Sequence, residues 1–287
     1  MSSLDHKIDF AVVLSVTGAN PNGDPLNGNR PRQNYDGYGE ISDVAIKRKI
    51  RNRLQDLGEA IFVQSNDRKN DVYSSLRERA EGNARLSEVA KNKKATSDDF
   101  AEIACQEWID VRSFGQVFAF KGAASGGGVS VGVRGPVSIH AARSVAPIDI
   151  TSTQITKSVN SEPGEKRSSD TMGMKHRVDF GVYVFYGSIN TQLAEKTGFS
   201  NEDADKIKQA LLTLFENDLS SARPEGSMEV RKLYWWEHSS KLGQYSSAQV
   251  HRSLAVSSKT DEPQSFDDYV IELSELDGLK VEVLDGR

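Results

Sequence analysis

Residues 8–57 constrain the fold most, because the hydrophobic period changes once within them and the change is punctuated. Residues 8–16 alternate and are rich in Val, Phe and Leu, as a half-buried strand requires. The loop that follows, Gly18-Ala19-Asn20-Pro21-Asn22-Gly23-Asp24-Pro25-Leu26-Asn27-Gly28-Asn29-Arg30-Pro31, is too dense in turn formers to continue the strand. Ser42 or Asp43 then caps a helix that sets Ile46, Ile50, Leu54 and Leu57 on one stripe. Lys47, Arg48, Lys49, Arg51 and Arg53 take the rest of its surface.

Beyond this unit, residues 60–109 are helical and highly charged, with a disordered or mobile portion expected around 66–71 and another around 91–97, and read as an insertion. Residues 114–120 and 129–140 predict two strands, the second interrupted at Gly135-Pro136, around a turn at Gly122 to Gly128. Residues 141–175 are polar with a tip at Asn160-Ser161-Glu162-Pro163-Gly164, a protruding hairpin or arm. A long strand over 176–189, a helix over 201–217 and a strand over 230–236 complete the chain's regular elements. With the insertion and the arm set aside, the order is β-α-β-β-α-β, an α+β, ferredoxin-like unit of the RRM type within one elaborated domain. Such units commonly bind single-stranded RNA through their sheet and loops.

Charge refines this expectation. The 287 residues carry a formal net charge of −5, which argues against a generic nucleic-acid-binding domain. Between Arg30 and Arg53, however, seven cations face three anions. The segment 259–287 is acidic instead, with Asp261, Glu262, Asp267, Asp268, Glu272, Glu275, Asp277, Glu282 and Asp285. A basic face and an acidic end suit an RNA groove and a head-to-tail contact between copies. The same charges also fit ordinary solvated surface. The single cysteine, Cys105, has no disulfide partner and fits a reducing cytosol. The N-terminal residues, with Asp5, His6 and Lys7, form no apolar targeting core, and a cytoplasmic protein without a membrane span is expected.

Catalytic patterns are sparse. Gly128-Val129-Ser130-Val131-Gly132 matches a nucleophile elbow, but Val129, Val131 and Val133 continue a strand where that motif needs a turn into a helix. The five histidines, His6, His140, His176, His238 and His251, lack the i, i+4 spacing of a zinc site. The glycine run has no Gly-Lys-Ser ending, and no cofactor is implied. Asp24 is the one chemical candidate. On its loop it could hold a metal or position a water for phosphodiester cleavage, but an Asx-turn role for Asn22 and Asp24 explains the same residues without chemistry and is the favoured reading.

Several strings together resemble the Cas-seven backbone family of CRISPR Cascade complexes, in its type I-C (Csd-two/Csh-two-like) branch. They are Asn20-Pro21-Asn22-Gly23-Asp24-Pro25, Asn29-Arg30-Pro31-Arg32, Ser42-Asp43-Val44-Ala45-Ile46-Lys47-Arg48-Lys49-Ile50-Arg51-Asn52 and Asp110-Val111-Arg112-Ser113-Phe114-Gly115. Val133-Arg134-Gly135-Pro136-Val137, Thr171-Met172-Gly173-Met174-Lys175 and Leu214-Phe215-Glu216-Asn217-Asp218 follow in order. The resemblance implies an RRM-like palm, a helical finger or web at 60–110, and a β-hairpin thumb at 141–175. It further implies a non-catalytic subunit that binds guide crRNA, forms a helical filament with its own copies, joins other Cascade subunits and presents the guide to target DNA. On this resemblance Lys47, Arg48, Lys49 and Arg51 contact the RNA backbone, and Asn20, Asn22, Arg30 and Arg32 line the same groove. Arg134 contacts RNA or stabilises the palm, while Met172 and Met174, with Lys175 beside them, wedge between bases. The RRM aromatic signature is missing, so base stacking on the sheet is not expected. RNA-targeting relatives of the family cleave with a loop Asp, which makes an Asp24 endoribonuclease the alternative.

Overall fold

A computed structural model describes residues 3–92, 94–120, 129–156 and 172–287. The chain runs through β1 (Ile8–Ala19), the short pair β2 (Gly23–Asp24) and β3 (Arg30–Pro31), β4 (Tyr38–Ile41) and α1 (Asp43–Asp56). Four helices follow, α2 (Leu76–Gly82), α3 (Ala84–Lys91), α4 (Ser97–Glu107) and α5 (Ile109–Phe114), then β5 (Gly115–Phe120) and β6 (Val129–Arg134). Next come β7 (Val137–Ile139), β8 (Ala142–Pro147), β9 (Ile150–Thr156) and the long β10 (Met172–Ile189). The last third holds α6 (Thr191–Thr197), α7 (Asn201–Leu212), β11 (Met228–Glu237), α8 (Ser247–Arg252), β12 (Leu254–Ser258), β13 (Tyr269–Leu273) and β14 (Val281–Asp285).

The result is a mixed α+β fold around an antiparallel sheet ordered β14-β11-β1-β10-β8-β4, with β7 and β9 also pairing along β10. Successive side chains of a strand point to opposite faces. Ile8, Phe10, Val12, Leu14 and Val16 of β1 therefore share a core with Ile46, Ile50 and Leu54 of α1 and Ile207 and Leu211 of α7. Phe10 stacks on Trp235 at 5.6 Å, and the ring fits because position 187 is glycine, where a Cβ would stand 2.1 Å from it.

The opposite face is covered as well. Ala11 and Val13 meet Val182, Tyr234 and Trp236 under Val250 of α8, Leu254 of β12 and Tyr269 of β13. Residues 8–16 are thus buried on both faces, whereas their alternation predicts one wet face. The cover comes from the C-terminal third, whose short elements carry too few residues for a visible period. The acidic segment 259–287 is correspondingly built in: β13 pairs with β12, β14 forms a sheet edge, and Lys208 and Lys232 hold Glu282 (2.9 Å) and Asp285 (2.5 Å).

The insertion has its own core of Phe62, Leu86, Phe100, Cys105 and Trp108, which also draws in Phe118 and Val131 of the β5–β6 hairpin. Burial pushes the Cys105 thiol up to about 12, so it packs as an inert side chain. Residues 57–75 contain no helix, and the portion around 66–71 is tied down by Gln55, which donates to the Arg68 carbonyl at 2.9 Å. The turn at Gly122 to Gly128 and the tip of the arm lie outside the described residues.

Asp110 joins this insertion to the sheet layer. Its carboxylate is 1% exposed and accepts from the Phe62 and Val63 amides at 2.7 and 3.0 Å and from Arg51 Nε of α1 at 2.9 Å. Two residues on, Arg112 grips Asp203 in the first turn of α7 at 2.8 and 3.1 Å. Gly115 then turns the chain at φ 80°, where a Cβ would sit 2.4 Å from the Val133 carbonyl. Breaking a buried, hydrogen-bonded ion pair from one side leaves the other charge stranded. Asp110→Ala is therefore expected to destabilise the protein by about 3–5 kcal/mol, read as a lower urea midpoint. A loss under about 1 kcal/mol would mean that the joint is held elsewhere.

On the covered face, buried Asp9 accepts from His238 Nε2 at 2.8 Å and pairs with Lys7 at 3.0 Å. Burial alone would raise its carboxyl, but His238 and Lys7, with the Ser247 hydroxyl nearby, outweigh that and hold it below the usual range. His251 stacks on Tyr186 at 4.9 Å and bonds the Gly187 carbonyl, and burial pushes its imidazole down despite that bond and Asp9. A depressed histidine is protonated first in the unfolded chain, so its effect is to lower stability as pH falls below about 6.5. Asp9 contributes stability above the ordinary carboxylate range and loses it only at lower pH. Thermal midpoints measured across this window should fall in two stages, and His251→Gln should remove the upper one.

Candidate nucleic-acid interface

The turn-dense loop is folded by its own amides. Asn20 is buried, donating from Nδ2 to the Asn29 carbonyl at 2.7 Å, while its backbone amide donates to Ala222 at 2.8 Å. Asn22 Oδ1 accepts from the Ser42 amide at 2.9 Å, and its carbonyl accepts from the Arg32 amide at 3.0 Å. Asn22 therefore fixes the loop to the start of α1, where Ser42 Oγ caps the Ala45 amide at 3.2 Å.

Asp24 caps the 3-10 turn Pro25–Asn27 by accepting from the Leu26 amide at 3.2 Å, and Arg32 stands 3.7 Å away. This is the Asx-turn arrangement. Among the described residues no group of three or more His, Cys, Asp or Glu side chains is set to hold a metal ion. Ser130 sits within β6 opposite Ala119, and the strand continues to Arg134. Arg30 leaves the loop to reach the arm, donating to Ser152 Oγ at 2.9 Å, which in turn meets His176 Nδ1 at 2.8 Å.

The five cations of α1 all have carboxylate partners, and this changes what the helix offers. Lys47 pairs with Asp43 at 3.0 Å and Arg48 with Asp67 at 3.6 Å. Arg51 is held by Asp110 and lies 5.1 Å from the Phe114 ring centroid; Arg53 binds Glu216 at 2.8 Å. Lys49 is buried against Asp218, with the Phe215 centroid at 5.5 Å, and burial pushes its ammonium down to about 8 against the pull of Asp218. Lys49, Arg51 and Arg53 thus brace the helix inward, while Arg48, 45% exposed at its side chain, faces out.

A cleft of about 390 Å³ opens where the loop, α1 and residues 217–223 converge. Asn22, Arg48 and Lys49, predicted from sequence, line it together with Asn52, Arg68, Asn217 and Arg223, which sequence reasoning missed. Asn52 lies four residues after Arg48, and that i, i+4 spacing was a usable signal. Arg68 and Arg223 sit in irregular segments that carry none. Arg30 and Arg32 line a second recess of about 160 Å³ with Asp24. Arg134 is exposed on β6 and makes no ion pair among the described residues. Met172 and Met174 open β10, opposite Thr156 and Gln154, with 51% and 54% exposure; Lys175, also exposed, follows on the alternate face.

The sheet itself offers no comparable surface, because Tyr234 and Trp236 lie under the C-terminal cover. The cleft beside α1 sets guanidinium and amide donors next to the carboxylates of Asp67 and Asp218, and those donors suit phosphate oxygens more than bases.

The family model described as CRISPR-associated protein Cas7 matches residues 6–274. A relative from Haloferax volcanii, named CRISPR-associated protein Cas7, is 24% identical over 285 residues, covering 94% of this chain and 82% of its own. A chain of a solved CRISPR RNA-guided surveillance complex, pre-nicking, is 16% identical, covers 80% of this chain and 78% of its own, and superposes with a TM-score of 0.49. Another, from a CRISPR RNA-guided surveillance complex, is 16% identical with coverage of 80% and 68% and a TM-score of 0.43. With its model matched from residue 6 to residue 274, the chain belongs to the Cas7 family of CRISPR-associated proteins.

Proposed function

We propose that this protein is a guide-RNA-binding backbone subunit of a type I-C Cascade complex in the cytoplasm. Copies of it associate along the spacer of one crRNA, beside other Cascade subunits, and present the guide for pairing with target DNA. The observation that carries this reading is the cleft at α1. Its donors, Arg48, Arg68, Arg223, Asn22 and Asn52, suit a sugar–phosphate backbone and leave base edges free. Sequence specificity then belongs to base pairing, the division of labour of RNA-guided effectors.

The other parts fit the same reading. Strands β11-β1-β10-β8, with α1 and α7 packed on one face, support an RRM-like palm. Helices α2–α5 with β5–β6 serve as the finger or web, and the β9–β10 arm as the thumb. Met172 and Met174 are placed in this scheme as apolar wedges between bases. Arg134, Lys175, Arg30 and Arg32 extend the contact surface beyond the cleft, whereas Asn20, Lys49 and Arg51 serve it by fixing the loop and helix.

Replacing Lys47, which pairs with Asp43 of its own helix, and outward-facing Arg48 by Glu should weaken RNA binding regardless of sequence. It should also flatten the log–log salt dependence by about 0.7 for each phosphate that is no longer neutralised. An unchanged slope in the folded double variant, checked by circular dichroism, would remove α1 from the RNA site.

The scaffold reading also predicts no divalent-dependent cleavage of complementary RNA by the assembled protein with Mg²⁺ or Mn²⁺. Regular cuts that disappear in Asp24→Ala would establish the endoribonuclease reading instead.

A further inference from the structure

The cleft already contains an anion. Asp67 lines it, and its carboxylate stands 3.6 Å from Arg48 Nη2. At that separation the pair is coulombic, beyond hydrogen-bond length, and Asp67 is 79% exposed at its side chain. The position is nonetheless well defined, because the next residue is anchored from three sides. The Arg68 carbonyl accepts from Gln55 at 2.9 Å, its Nη1 donates to the Asn217 carbonyl at 3.0 Å, and its guanidinium pairs with Asp56. A strap from the insertion is thereby fastened to α1 and to the 217–223 loop, with Asp67 over the cleft.

We propose that Asp67 is a specificity-determining residue of the cleft. Its carboxylate stands in for a phosphate on Arg48, and a strand whose successive phosphates bind together displaces it more readily than a lone phosphate does. This rests on the reading of the cleft as the RNA site. Of the cleft's cations Arg48 has the most exposed pair, whereas Lys49 is buried with Asp218 in a pair that is costly to open. An exposed pair is worth little and is readily traded. The nearby Ser65 hydroxyl and its own backbone amide, with Arg48 and Arg68 close by, hold the Asp67 carboxyl below its usual range, so the stand-in stays ionised at neutral pH. A lone phosphate competes poorly with a tethered carboxylate at high effective concentration, whereas a polyphosphate strand gains from its neighbouring contacts.

The test is equilibrium binding of an unstructured oligouridylate and of a dinucleotide to the full chain at low salt. The variants are Asp67→Asn, Arg48→Ala and the double substitution, with Glu102→Gln on α4 as a matched charge control. Asparagine keeps the turn-forming shape at 67, and the site is solvent-facing, so folding is preserved. Asp67→Asn is expected to tighten oligouridylate binding roughly two- to five-fold and to make dinucleotide binding measurable. The gain should vanish in the Arg48→Ala background and be absent in Glu102→Gln. An equal gain in Glu102→Gln, or one that survives Arg48→Ala, overturns the proposal alone by showing an effect of net charge. Arg48→Ala binding oligouridylate as the wild type does overturns the reading of the cleft and the proposal with it.

Discussion

The position of α1 depends on one buried carboxylate. Asp110 takes two amides from the start of the insertion and one guanidinium nitrogen from α1, and it is almost wholly excluded from water. A group so placed is tolerable only when its hydrogen-bonding capacity is filled, so the three donors must arrive together. Arg112 repeats the device toward α7 through Asp203. Between them the two pairs fix the insertion's small core against the sheet layer. Asp110, Arg112, Phe114 and Gly115 of the string 110–115 thus have structural roles: two charges, a ring beneath Arg51, and a glycine for a positive φ.

With α1 fixed, its cations divide by direction. Lys49, Arg51 and Arg53 are themselves largely buried against their carboxylates, and they work as braces. Arg48 faces outward onto the cleft, where its partner is exposed and distant. A basic helix in sequence is therefore a mixed surface in three dimensions, and its affinity for phosphate depends on which pairs can open. The same division explains how a protein of net charge −5 can present a site for a polyanion. The field that matters is local and made by a few groups.

Closure of the second sheet face completes this logic. An open RRM-type sheet would offer strand aromatics to bases, but here Tyr234 and Trp236 pack under α8, β12 and β13. The RNA contact proposed for this chain therefore falls to the loop, the helix and the arm. The hydrogen bond from Arg30 to Ser152 ties the loop to that arm, so parts far apart in sequence form one rim.

The sequence by itself determined the elements whose cause is local. The stripe of Ile46, Ile50 and Leu54, the Ser42 cap, the alternation of β1 and the Asx-turn at Asp24 are each set within one or two turns of chain. The helices of the insertion from residue 76 onward and the pairing of β9 with β10 were legible for the same reason, whereas the helix expected from residue 60 is absent over 57–75. Tertiary structure alone decided the charge partners and the second layer. Arg51 meets its carboxylate 59 residues away and Lys49 meets its own 169 residues away. A count of charges between Arg30 and Arg53 therefore overstated the free cations. Likewise the wet face implied by β1 was covered by short elements from the far end of the chain. Electrostatic pairing and burial depend on what approaches through space, and neither leaves a period in the sequence.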